Sequence, residues 1–183
     1  MSGALSYSAP AKWFHWGIAL AVLAAVGLGI AMNNVADRAT AGTLYDLHRS
    51  TGTLILVLTG LRLIWRLFHP PPPLLAGLPA WQKRAATIMH WLLYFLLFLL
   101  PLLGWVGTSA YGAEIVVYGL FVLPPLLAEN EALSKVLLGA HELVAFALVA
   151  LLIGHIGAAL HHHFIGRDDT LKRMWPGAGG DAA

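Results

Sequence analysis

The 183-residue chain contains no cysteine. Disulfides, thiolate-bound iron–sulfur clusters and covalent haem attachment through C-x-x-C-H are therefore excluded. Charge is also scarce: Asp, Glu, Lys and Arg make up 11% of the residues, against about 25% in a typical soluble domain. No dinucleotide fingerprint, P-loop or nucleophile elbow occurs, and no carboxylates are arranged in the hydrolytic manner. Soluble catalytic chemistry is not signalled, and no catalytic residue is singled out. With a net charge of +2, nucleic acid is not expected as a partner.

What the chain has instead is apolar length. Hydrophobic residues make up 58%, and the mean hydropathy is +0.73. A spanning helix needs about 20 mostly apolar residues. Four segments qualify, at about 13–32, 48–68, 89–109 and 136–164. The expected fold is an all-α integral membrane protein, a four-transmembrane-helix bundle surrounded by lipid. Residues 1–176 form its one domain, and 177–183 are expected to be a flexible cytoplasmic tail. The connection 110–135 is itself largely apolar and is expected to hold a short interfacial helix. The first apolar run is longer than the core of a signal peptide and lacks a convincing small-x-small site before Asn33, so it is expected to stay as a helix.

Cations sort by side. Lys12, Lys83, Arg84, Arg167, Lys172 and Arg173 flank one set of helix ends, with Arg62 and Arg66 nearby, whereas the opposite loops offer Arg38 and Lys135, with Arg49 just inside helix 2. By the positive-inside rule both termini are cytoplasmic.

Histidine carries the chemistry. His141 and His155 lie 14 positions apart in the fourth segment, which places them about 21 Å apart along a helix and about 40° apart around it. They share one face at two depths. An ionisable side chain at membrane depth needs a partner, and a haem iron would satisfy each of these. Because covalent attachment is excluded, the natural cofactor is non-covalent haem b. His48 opens the second segment on the outer side and can meet His141. On the inner side His155 can meet His15 or His90, and the residues leave that choice open. Two bis-histidine sites follow, each with both axial positions filled and so suited to electron transfer. Gly52, Gly139, Gly154 and Gly157 would let a macrocycle approach the backbone, though small residues also serve ordinary helix packing.

Arg62 stands 14 positions after His48 on the same stripe and is a candidate for a haem propionate; Arg49 is its counterpart on the outer side. Arg66 is expected to snorkel and His69 to be an interfacial bystander. In the triplet His161 to His163, only His162 returns to the ligand stripe. His162 and His90 can each hydrogen-bond a quinone carbonyl and deliver a proton.

Together these residues carry a family resemblance. The set is F-H-W at 14–16, L-H-R-S-T-G at 47–52, M-H-W-L-L-Y at 89–94, A-H-E at 140–142, G-H at 154–155 and H-H-F-x-x-x-D-x-T-L-x-R-M at 162–174. It resembles the bacterial cytochrome b561 family of di-haem membrane proteins over nearly the whole chain. The resemblance implies a bundle in the bacterial inner membrane, with His15 and His155 on an inner haem b, His48 and His141 on an outer one, and a quinone pocket near His90 and His162. Members include a superoxide oxidase, so the leading expectation is superoxide oxidation at the periplasmic face coupled to ubiquinone reduction. The acidic residues Asp37, Asp46, Glu114, Glu129, Glu131 and Glu142 offset the outer cations, and only weak electrostatic steering of an anion is expected. The alternative is a cytochrome b subunit passing electrons between a partner dehydrogenase or hydrogenase and quinone, docked through the apolar stretch 115–127. A divalent-metal transporter or sensor is a third reading, but the acidic mid-membrane ligands that hard metals want are missing.

Overall fold

The computed structural model describes residues 6–177. The expected tail therefore lies, apart from Gly177, outside the described residues. Four helices run through the molecule: α1 (Ala9–Met32), α2 (Arg38–Phe68), α3 (Ala80–Tyr111) and α4 (Glu131–His161). All four are long and apolar enough to cross a membrane. A π-helical turn, His162–Gly166, prolongs α4, and a 3₁₀ turn, Lys172–Met174, follows it.

All four helices begin before their apolar runs, and two of them carry side-chain caps there. Asp37 caps α2, accepting from the Thr40 N–H at 2.8 Å and its hydroxyl at 2.6 Å. Asn130 caps α4 by accepting from the Leu133 N–H at 3.0 Å. Each satisfies donors that the first turn cannot satisfy itself. Pro10 starts α1, where its missing N–H costs nothing. At the far end of α3, Gly112 takes φ 81° and turns the chain away; a Cβ there would stand 2.6 Å from the Glu129 carboxyl carbon.

The connection after α3 corrects one expectation. In place of an interfacial helix it forms a β-hairpin, β1 (Ile115–Val117) and β2 (Phe121–Leu123), paired antiparallel. Ile-Val-Val and Phe-Val-Leu are strand formers, and Tyr118 and Gly119 both adopt positive φ to reverse the chain between them. The β-hairpin is fastened to α2. Ser50 donates to the Val116 carbonyl at 3.2 Å and accepts from the Tyr118 N–H at 3.0 Å. Thr51 spends its proton on the Leu47 carbonyl, so the Tyr118 hydroxyl donates to Thr51 at 3.1 Å.

The opposite end brings together the first and last described segments of the chain. The Tyr7 N–H and the Ser6 hydroxyl donate to the Arg173 carbonyl. The Arg173 guanidinium donates to the Pro73 carbonyl at 2.9 Å, and Trp16 Nε1 donates to the Met174 carbonyl at 2.9 Å. The two ends are hereafter the β-hairpin end and the terminal end.

Between them Ile18, Val22, Ile55, Leu93, Leu96 and Leu148 form the buried core. Large apolar side chains such as Leu20, Leu143 and Ile153 point outward, as lipid-facing positions should. α1 packs chiefly on α2 and α3 chiefly on α4, and α2 packs less extensively on α3. Side chains have to fill the seam between these two helix pairs.

Candidate functional site

At the β-hairpin end, His48 of α2 and His141 of α4 face each other across the seam, with ring centres 6.0 Å apart. Each ring is held from behind by a backbone carbonyl. His48 Nδ1 lies 2.9 Å from the Ala25 oxygen of α1, and His141 Nδ1 lies 2.9 Å from the Leu100 oxygen of α3. A carbonyl only accepts, so both Nδ1 atoms carry the proton and both Nε2 atoms keep a lone pair. This is the tautomer a metal-binding imidazole needs, with its outer-shell partner already present.

A glycine makes each seat possible. Gly29 and Gly104 stand four residues, one helical turn, beyond those two carbonyls. A Cβ on Gly29 would lie 3.3 Å from His48 Cε1, and one on Gly104 would lie 3.2 Å from His141 Cε1 and Nδ1. Sequence reasoning singled out other glycines and missed these two. The only available signal was the matched four-residue offset, which has no meaning until the rings are placed.

At the terminal end His155 of α4 has two neighbours. Its ring centre lies 6.3 Å from His15 of α1 and 5.6 Å from His90 of α3. The structure thus brings together all three histidines named for the inner site. His15 differs from the other pair in its partner: Arg62 NH1 donates to His15 Nδ1 at 3.0 Å, and a guanidinium cannot accept, so the neutral ring carries its proton on Nε2 and binds a metal through Nε2 only after giving up this bond. The guanidinium carbon of Arg62 also lies 5.6 Å from the centre of the Tyr94 ring, with that of Arg66 at 5.9 Å. Arg66 shares the Tyr94 ring with Arg62.

The residues fit a haem. Two metal–imidazole bonds of about 2 Å, plus about 1.1 Å from each nitrogen to its ring centre, require ring centres about 6 Å apart. The facing pairs meet that separation. Among the described residues no group of three His, Cys, Asp or Glu side chains could hold a bare ion, whereas a porphyrin brings four nitrogens of its own.

The remaining sequence candidates lie around these pairs. Arg49 pairs with Asp46 at 3.3 Å and covers the Tyr45 ring. His69 stacks on Trp65 with centres 3.8 Å apart, as befits a bystander. His90 lines a cavity of about 220 Å³ with Tyr7, Arg66, Thr87 and Trp91. His162 lines another, of about 540 Å³, with Gln82, His161, Asp168 and Asp169. The connection between α2 and α3 separates the two, Leu74 lining the first and Leu75 the second.

Comparison with known proteins agrees with this geometry. The family model for prokaryotic cytochrome b561 matches residues 6–177. Cytochrome b561 homolog 2 of Escherichia coli K12 is 35% identical over 169 residues, covering 88% of this chain and 86% of that protein. Cytochrome b561 homolog 1 of the same organism is 35% identical over 131 residues, covering 72% and 74%. A Yersinia pestis protein named probable superoxide oxidase CybB is 31% identical over 170 residues, covering 93% and 96%. With its four spanning helices and its histidines facing across the seam, the chain belongs to the prokaryotic cytochrome b561 family of b-haem membrane oxidoreductases, which carry electrons across the membrane.

Proposed function

We propose that this cytochrome oxidises superoxide at the β-hairpin end and delivers the electrons to ubiquinone at the terminal end, through two bis-histidine b haems. The observation that carries the reading is the placement of facing histidines at both ends of α4: His48 with His141 and His15 with His155. Haems bound here would supply one-electron carriers. His48 and His141 would hold the outer one through Nε2, their tautomers set by the Ala25 and Leu100 carbonyls. His15, on releasing its Arg62 bond so that its proton moves to Nδ1, would hold the inner one with His155, leaving His90 for the quinone cavity. Arg62 neutralises carboxylate charge at the inner site and Arg49 does so at the outer. His90 and His162 serve the quinone.

Each cycle converts two superoxide anions to dioxygen and one quinone to quinol, taking up two protons. The cation asymmetry puts the terminal end in the cytoplasm of a bacterial inner membrane. The proton-requiring half of the reaction then faces the cytoplasm. Support for superoxide as donor comes from the full-length likeness to the Yersinia protein, by its name a probable superoxide oxidase.

Stopped-flow mixing tests the donor. Superoxide should reduce the haems faster than it is lost spontaneously, and the rate should persist at high salt, since exposed charges are screened beyond about 8–10 Å. Arg49→Glu and Arg38→Glu should each slow it modestly. No reduction above spontaneous loss at any salt concentration sinks the superoxide reading.

A second reading keeps the haems and changes the donor to a docked dehydrogenase or hydrogenase. Leu120, Phe121 and Val122 are exposed on the β-hairpin and would form its contact. Replacing these three by serine would then abolish reduction by the partner and leave reduction by a small-molecule reductant unchanged.

A further inference from the structure

Beyond α4 the chain makes a wide π-helical turn. Arg167 then adopts φ 50° and its N–H returns to the His162 carbonyl. This reversal brings Asp168 back onto a side chain six positions earlier: Asp168 Oδ2 accepts from His162 Nδ1 at 2.6 Å. The second carboxylate oxygen accepts from the Thr170 N–H at 2.9 Å. With its proton committed to Asp168 through Nδ1, the neutral His162 ring keeps its lone pair on Nε2. The ring also lines the cavity of about 540 Å³ between the α2–α3 connection and the segment that follows α4.

Resting on quinone as acceptor, we infer that Asp168 is the positioning residue of the cytoplasmic proton relay. It fixes the tautomer and orientation of His162 so that Nε2 takes a proton from water and passes it to a quinone oxygen. A haem bound at the inner site would supply the electrons, and His162 would deliver the proton separately, from the cytoplasm. After transfer Nε2 regains its lone pair and the ring is reset by the next proton from water. The carboxylate keeps Nδ1–H bonded throughout and stabilises the imidazolium while it exists.

The charge environment is mixed. His161 touches the His162 ring edge-on, with centres 6.0 Å apart. Asp169, which also lines the cavity, is tied to Lys172 at 3.1 Å. From the α3 side come the neutral Gln82 and Lys83, whose Nζ donates to the Ala76 carbonyl at 3.1 Å. Asp168 is the carboxylate on the His162 ring itself. Burial pushes its carboxyl up, but the bonds from Thr170 and His162 together hold it below the usual carboxylate range.

The test uses purified haem-loaded protein, pre-reduced chemically and mixed anaerobically with ubiquinone-1. Haem re-oxidation is followed from pH 5 to 9 for wild type, Asp168→Asn, Asp168→Glu, His162→Gln and the double variant Asp168→Asn/His162→Gln. Asp168→Asn and His162→Gln should each retain both haems and slow re-oxidation about a hundredfold, the lower end of the range for a lost proton donor. The double variant should be no slower than His162→Gln alone, and Asp168→Glu should restore most of the rate. A nitrogen-15 NMR spectrum of labelled histidines, assigned by loss of the His162 signal in His162→Gln, should show the proton on Nδ1 in wild type and a tautomer mixture in Asp168→Asn.

Two outcomes overturn the inference: full-speed re-oxidation in Asp168→Asn, or an Asp168→Asn effect as large in the His162→Gln background as in wild type. The second would mark a merely structural role for the terminal segment. If wild-type haem is not re-oxidised by ubiquinone-1 at all, the acceptor assignment itself fails, a result distinct from either.

Discussion

Gly104 and His141 stand so close that a methyl group on the glycine would lie 3.2 Å from the imidazole. Gly104→Ala should push the ring off the Leu100 carbonyl at an overpacking cost of about 1–3 kcal/mol, and Gly29→Ala should do the same to His48. Both variants should shift or lose the spectrum of one haem. Gly17→Ala, which meets nothing within 4 Å, should leave both haems intact. Redox titration of the three variants decides the point.

His141→Ala should lose mainly the haem at the β-hairpin end and His155→Ala mainly the one at the terminal end, because each removes one ligand at a different depth. Pyridine haemochrome assay and low-temperature spectra would show one haem remaining in each. Equal loss of both haems from a well-folded variant would refute the assignment of depths.

Since His15 and His90 both flank His155, their substitutions should separate by phenotype. His15→Ala should lose haem, whereas His90→Ala should keep both haems and re-oxidise slowly with quinone. Arg62→Gln, which removes the charged donor to His15 Nδ1, should lower the potential of the inner haem by removing a nearby cation, with the outer potential unchanged. The reverse pattern in the two histidine variants would exchange their roles.

Acid should release the terminal segment. The Asp168 carboxyl is held below its unfolded value, so its contribution is complete above that value and disappears as pH falls through the lower, folded one. The window lies below about pH 4. Trp175, whose ring centre is 5.6 Å from that of Trp16, reports the event: its fluorescence, taken as the difference from Trp175→Phe, should change in that window. Asp168→Asn should remove this dependence.

The helices and the depths of their histidines were legible because hydropathy marks spans, and because 14 residues along a helix return to nearly the same face. The choice between His15 and His90 was not, since helical arithmetic fixes depth and face within one helix but says nothing about how neighbouring helices turn toward it. The β-hairpin was hidden for a different reason. A short apolar run between two spanning segments suggested an interfacial helix, and the strand preference of Ile115–Val117 and Phe121–Leu123 was outweighed by that setting. Asp168 stood in a motif noted for its resemblance, yet its contact with His162 depends on a π-helical turn and a left-handed Arg167 that no periodicity reveals.

The packing of α1 on α2 and of α3 on α4 bears on how the protein is made. His48 takes its seat from α1, its own partner helix, and His141 takes its seat from α3, also its own. Each helix pair is therefore a finished half-site, able to present a correctly protonated imidazole before the two pairs have met. If a haem joins His48 to His141 as proposed, its binding would clasp together two halves that are each already assembled.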